Sequence, residues 1–158
     1  MIRQQFSVNA PVGHAFEIGA QPQRFPSFVP LLKRVESTDA LLDHAGASYT
    51  MVFGLLGRDI RFSWQVEEVR PPDLASSPRP APPWEIVELG RFAGFEIKST
   101  TRYLPAGVSS VVSHVVTITA AAGLLRPALQ PLVSLAARLG MGVVGQRFSR
   151  YAGSRSSL

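Results

Sequence analysis

The chain has 158 residues, no cysteine, and 46% hydrophobic against 17% charged residues. This suits one domain with a single core and excludes a wholly disordered chain, disulfides, thiolate metal clusters and cysteine nucleophiles. The formal charge of +5 is uneven: residues 1–96 carry 9 basic and 11 acidic side chains, whereas residues 97–158 carry 7 basic and none acidic.

Residues 2–8 alternate, with Ile2, Gln4, Phe6 and Val8 on one parity, and predict a first strand. Pro11 then suits a helical first turn, and Val12, Ala15, Phe16 and Ile18 predict a short helix. A second short helical piece is expected over 22–32, limited by Pro26 and Pro30, which lack amide donors. Six strands are predicted near 33–42, 47–56, 59–70, 84–90, 94–104 and 107–119. Their separators are mostly short and turn-like, which favours antiparallel neighbours. The clearest alternation sets Ile60, Phe62, Trp64 and Val66 against Arg61, Ser63, Gln65 and Glu67. One connection differs: residues 71–83 hold six prolines and read as a long exposed loop.

Beyond Gly123, Leu125, Leu129, Leu132, Ala136, Leu139 and Val143 recur every three or four residues and predict a long final helix. Gly140, Gly142 and Gly145 lower helix propensity and suggest a bend or loosened turn. The expected class is α+β: a curved seven-stranded antiparallel sheet wrapped around a long C-terminal helix, with two short helices after the first strand. Residues 1–152 are expected to form one domain and 153–158 a flexible tail. A helix about 10 Å wide is narrower than seven strands side by side, so a gap between sheet and helix follows unless the sheet curls strongly.

Strand parity gives the candidate lining of that gap. Tyr49, Met51 and Phe53 share a face, as do Phe62 and Trp64. Phe95, Ile97 and Tyr103 form a third set, together with Ser99 and Thr101, and Val112, His114 and Val116 a fourth. Phe25 and Phe28, and Leu132, Leu135, Ala136, Leu139 and Val143, would face them. The competing reading is a solid core of the same residues. His114 stands at an apolar parity, where an unpaired or charged imidazole is costly. It is expected neutral, bonded to Tyr49, Tyr103 or a ligand carbonyl, or else satisfied by a neighbouring hydroxyl as a core histidine. Glu85 and Glu88 fall on opposite strand faces and make a poor catalytic carboxylate pair. His14 and His44 read as surface groups, the three histidines match no metal-ligand spacing, and no nucleotide loop is present. No cofactor is therefore expected, and no catalytic residue is assigned.

Several stretches together resemble the START-like, helix-grip superfamily, in its polyketide-cyclase/dehydrase and coenzyme-Q-binding-like branch. They are Ala10-Pro11-Val12 with Ala15-Phe16, Phe25 to Pro30, Gly54 to Arg58, the Trp64 strand, the Gly94-Phe95 to Tyr103 strand, and the helix ending Arg147-Phe148 and Arg150-Tyr151. The resemblance spans nearly the whole chain and rests on the order of elements. It implies an apolar ligand, such as a lipid, quinone or polyketide-like compound, held between sheet and helix. The alternative it implies is a cyclase or dehydratase using His114 and a tyrosine, Tyr49 or Tyr103. The scattered basic residues, Lys98, Arg102, Arg126, Arg138, Arg147, Arg150 and Arg155, read first as an ordinary solvated surface, with peripheral contact with an anionic membrane as the alternative and sparse aromatic positions weighing against nucleic acid. The start of the chain lacks an apolar signal region, so cytoplasmic residence, extending to the inner face of a membrane, is expected.

Overall fold

A computed structural model describes residues 1–70, 84–92, 94–120 and 126–155, with side chains described at all of these except 55, 120, 126–137, 139 and 155. The elements are β1 (Ile2–Val8), α1 (Val12–Gly19), a 3₁₀ segment (Pro22–Ser27), β2 (Leu32–Ser37), β3 (Ser48–Leu55), β4 (Arg58–Arg70), β5 (Trp84–Phe92), β6 (Phe95–Ala106), β7 (Ser109–Ala120) and α2 (Arg126–Arg155). The proline-rich stretch 71–83 lies outside the described residues.

All seven strands form one antiparallel sheet in the order β1-β7-β6-β5-β4-β3-β2. Consecutive hairpins build β2 through β7, and β1 closes beside β7 with Ile2 opposite Val116 and Val8 opposite Ser110. Register shifts at Leu32/Arg34 and at Val66/Glu68 interrupt the ladder. Such bulges bend the strand that carries them and increase its twist. The sheet therefore has a concave face that receives the helices and a convex face towards water.

Three segments differ from the sequence reading. The second helical piece is a 3₁₀ segment of six residues, because Pro26 already sits inside it and Pro30 follows. β2 ends at Ser37 rather than near 42. The apolar Leu42 that suggested more strand is buried, but its amide bonds the Ala20 carbonyl at 2.7 Å instead of a sheet neighbour. α2 is helical through Arg155, which includes the first three residues of the expected tail.

The convex face is laced with ion pairs, several of which reach across an intervening strand. Lys33 and Arg34 reach Asp59, Arg61 reaches Glu36, and Lys98 reaches Glu67. Most of these groups are exposed and add little stability. Glu85 is the exception, since it is buried under Arg70 and Arg102. The concave face carries the core: Val8, Ile18, Leu42 and Val66 are almost wholly buried there with Tyr49, Tyr103 and Phe148.

Candidate functional site

α1 and the 3₁₀ segment cover one end of the concave face through aromatic contacts. Phe16 packs on Trp84 at 4.2 Å and edge-on to Tyr103 at 5.6 Å, and Phe25 meets Tyr49 edge-on at 5.6 Å. The C-terminal third of α2 lies over β1 and this cover. Phe148 contacts Phe28 at 5.0 Å, with rings perpendicular, and Phe6 at 6.0 Å. Gly145 makes the close approach: a Cβ there would lie 2.8 Å from the Phe6 ring. The glycines of α2 thus do not break the helix, which is continuous through them. One of them admits an aromatic ring.

Between sheet and helix, among the described residues, lies a cavity of about 150 Å³. Sheet residues form most of its wall: Phe6, Tyr49, Met51, Trp64, Glu88, Ser99, Thr101, Tyr103, Val112 and His114. Gly19, Phe25, Phe28 and Val29 close one side, and Met141, Val144, Gly145 and Phe148 of α2 close the top. Among the described residues, seven aromatic side chains and no lysine or arginine line it.

A line of polar groups crosses this apolar wall. The Tyr49 hydroxyl donates to Glu88 Oε1 at 2.8 Å, reaching from β3 over β4 to β5. Trp64 stands between them on β4, its ring within 8° of parallel to that of Tyr49. Ser99 lies opposite Glu88 in the ladder, and its hydroxyl is 2.8 Å from His114 Nε2. Burial pushes the Glu88 carboxyl up to about 7, partly offset by the bond from Tyr49. Burial likewise pushes His114 down to about 4, so its imidazole is neutral at physiological pH. Tyr49 and Tyr103 are both raised, by burial first and then by the nearby Glu88 charge, and stay protonated. The indole N–H of Trp64 is buried with no partner among the described residues.

This arrangement can hold a ring-sized apolar molecule and offer it one carboxyl group able to gain or lose a proton near neutrality. Among the described residues, no group of three or more histidine, aspartate or glutamate side chains has the arrangement of a metal site.

Of the residues expected at the site, Tyr49, Met51, Trp64, Tyr103, Val112, His114 and Phe28 line the cavity. Phe53, Phe62, Phe95, Ile97 and Val116 share the concave parity, but the cavity wall does not include them. Phe62 instead stacks on Phe92 at 4.1 Å and meets Phe53 edge-on at 5.3 Å. Leu132, Leu135, Ala136 and Leu139 are in α2, and their side chains lie outside those described. Val143, expected to face the sheet, is 41% exposed, while its neighbour Val144 lines the cavity. A helix turns about 100° per residue, so the stripe read from the leucines points away here and the inward stripe is Met141, Val144, Phe148 and Ala152. His114 is partnered by the Ser99 hydroxyl, as expected of a core histidine satisfied by a neighbouring hydroxyl, and not by either tyrosine. His14, read as a surface group, has a buried Nε2.

Glu88 was missed. Its signal was the same as that of His114: a polar residue sharing parity with apolar neighbours, here Trp84 and Ile86.

No protein-family model matches the sequence, and no curated protein does either. Solved structures match the fold. A Thermus thermophilus protein superposes with a TM-score of 0.72 at 13% identity, covering 98% of each chain. The Zhui aromatase/cyclase of a Streptomyces species gives 0.69 at 12% identity, over 98% of this chain and 93% of that one. A START superfamily protein of Mycobacterium smegmatis gives 0.64 at 12% identity, over 95% and 97%. The chain therefore has the helix-grip fold of START-like and aromatase/cyclase structures.

Proposed function

We propose that this protein binds a small, largely apolar molecule in the cavity between its sheet and α2. The observation that carries this is the cavity itself: aromatic walls, a few placed polar groups, and helix–sheet contact that stops short of filling the space. An aromatic ring buries roughly 150–250 Å². At about 25 cal/mol/Å² that is a gross gain of about 4–6 kcal/mol, reduced by the cost of immobilising the ligand.

The resemblance of the sequence to the START-like superfamily suggests a lipid, quinone or polyketide-like compound. Size bears on the choice. The cavity of about 150 Å³ is below the roughly 300–1,000 Å³ of common ligand pockets, and near the size that takes a single benzene ring. A larger ligand requires α2 to lift from β1 and the 3₁₀ segment. Native mass spectrometry of protein purified from its own host, with extraction of whatever is bound, tests this reading. A retained apolar compound supports it, and a ligand-free protein that also takes up no added ring-sized compound contradicts it.

A second reading, a cyclase or dehydratase working in the same cavity, is favoured by one feature. Glu88, titrating near 7 and bonded by Tyr49, is matched to general acid–base work near neutral pH. His114, held neutral to about pH 4, is suited to accept a hydrogen bond rather than to cycle a proton. The proton carrier of this reading is therefore Glu88, with His114 and Tyr49 as its polar surroundings.

We further propose peripheral contact with anionic membrane in the cytoplasm. No helix among the described residues is long and apolar enough to cross a membrane. Arg138, Arg147 and Arg150 are exposed along α2, and no acidic residue follows Glu96. Cosedimentation with phosphatidylserine vesicles is expected at low salt and lost at high salt. Binding that ignores salt, or no binding at low salt, contradicts it.

A further inference from the structure

Most of the described acidic side chains are paired with lysine or arginine. Glu36 and Asp59 meet Arg34, Arg61 and Lys33; Glu67 meets Lys98; Glu68 meets Arg70; Glu96 meets Arg91. Asp39 and Asp43 meet His44. Glu85, buried on the convex side of β5, is covered by two guanidinium groups. Glu88 lies three residues further along the same strand on the concave side and receives only the Tyr49 hydroxyl. Among the described residues, no lysine or arginine lines the cavity around it. β3 presents Tyr49, β6 presents Tyr103, Ser99 and Thr101, β7 presents His114, and the described side chains of α1, β1 and α2 that reach the cavity are apolar or glycine.

A buried carboxylate without a counter-ion is costly, and Glu85, the other buried acid among the described residues, has two. The faces of Tyr, Trp and Phe rings attract cations through their quadrupoles. An aromatic chamber of ring size, holding one carboxylate and no positive side chain, is complementary to a positive guest.

We propose that the cavity's preferred occupant is a small organic cation, a protonated amine on a single-ring apolar body, neutralised by the Glu88 carboxylate and enclosed by the rings of Phe28, Tyr49, Trp64 and Phe148. The proposal rests on the reading of the cavity as a ligand site and names the class of ligand. Entry of the cation favours the ionised carboxylate, so near neutrality binding releases a proton from Glu88 to solvent. Tyr49 keeps its hydroxyl aimed at the carboxylate and fixes its position.

The test uses three probes of similar size, 2-phenylethylamine, 2-phenylethanol and acetophenone, titrated into the full chain by calorimetry between pH 6 and 8. An alkylammonium group stays charged throughout that range. The amine is expected to bind about tenfold more tightly than the neutral probes at pH 8. Its advantage should grow with pH over the range, and in Glu88→Gln it should vanish while the neutral probes are retained. Equal or tighter binding of the alcohol or ketone to the wild-type protein at pH 8 overturns the amine proposal and leaves the ligand-site reading standing. So does an amine preference that survives in Glu88→Gln. Failure of all three probes to bind overturns both. The pH series on the wild-type protein decides the matter if the variant does not fold.

Discussion

Two buried groups of opposite habit share the concave face. Glu88 titrates near 7, above the ordinary 4.5, so its protonated form is favoured by folding. That contribution is present below about pH 4.5 and is lost as pH rises through 7. His114 titrates near 4, below the ordinary 6.5, so its contribution is present above about 6.5 and is lost as pH falls through 4. Between pH 4.5 and 6.5 the two slopes oppose one another. The salt-bridged carboxyls of Glu36, Asp59 and Glu68, held below their ordinary values by hydrogen bonds from neighbouring basic groups, titrate beneath that window. Wild-type stability, read from urea unfolding, is therefore expected to be nearly flat across it. Glu88→Gln should gain stability with rising pH over the window, and His114→Phe should lose it, each by up to about 3 kcal/mol. Parallel pH profiles for the three proteins would contradict the assignment. These residues also mark the limit of parity reasoning. His114 stood out as polar among apolar neighbours, and Glu88 carried the same mark. In the sequence Glu88 is weighed only as a partner for Glu85, on the opposite strand face, and not on its own parity. The bond from Tyr49, two strands away, has no trace in local sequence.

At the scale of elements, α2 holds the account together. Its register on β1 is set where Gly145 meets Phe6 and Phe148 meets Phe6 and Phe28. Glycine costs roughly 1 kcal/mol relative to alanine in a helix interior, and the two glycines at 140 and 145 should answer differently to replacement. A Cβ at Gly140 meets nothing within 4 Å, so Gly140→Ala should stabilise the protein by about 0.5–1 kcal/mol. At Gly145 the new methyl strikes a ring fixed on β1. Overpacking of that kind costs about 1–3 kcal/mol, enough to cancel the propensity gain, and Gly145→Ala should be neutral to destabilising. Urea melts of the two variants check this, and equal stabilisation of both would contradict the close packing of α2 on β1. The sequence signalled the helix through its three-and-four spacing, yet misjudged its inward face near 143. With glycine at 140, 142 and 145, Met141, Val143 and Val144 are the only apolar markers in that stretch, and a one-residue error rotates the stripe by a quarter turn.

At the scale of the whole molecule, the alternation of Ile60, Phe62, Trp64 and Val66 made the sheet legible, because each strand is wet on one face and covered on the other. The narrowness of one helix over seven strands made a gap expected, but the gap's extent was not legible. It depends on how far bulges at Val66/Glu68 and Leu32/Arg34 curl the sheet, and on how α1 and the 3₁₀ segment close one end. Both are sums of small local bends that no residue type announces. The result, among the described residues, is a cavity of about 150 Å³.

The chain carries its own reporters of that chamber. Met51 and Met141 line it from opposite walls, while Met1 is 81% exposed. With carbon-13 in the methionine methyl groups, titration of 2-phenylethanol should shift the Met51 and Met141 signals together, saturably, and leave Met1 unmoved. Signals of Met51 and Met141 that stay fixed at every concentration would mean that the space beneath α2 admits no guest, and would contradict the account at its centre.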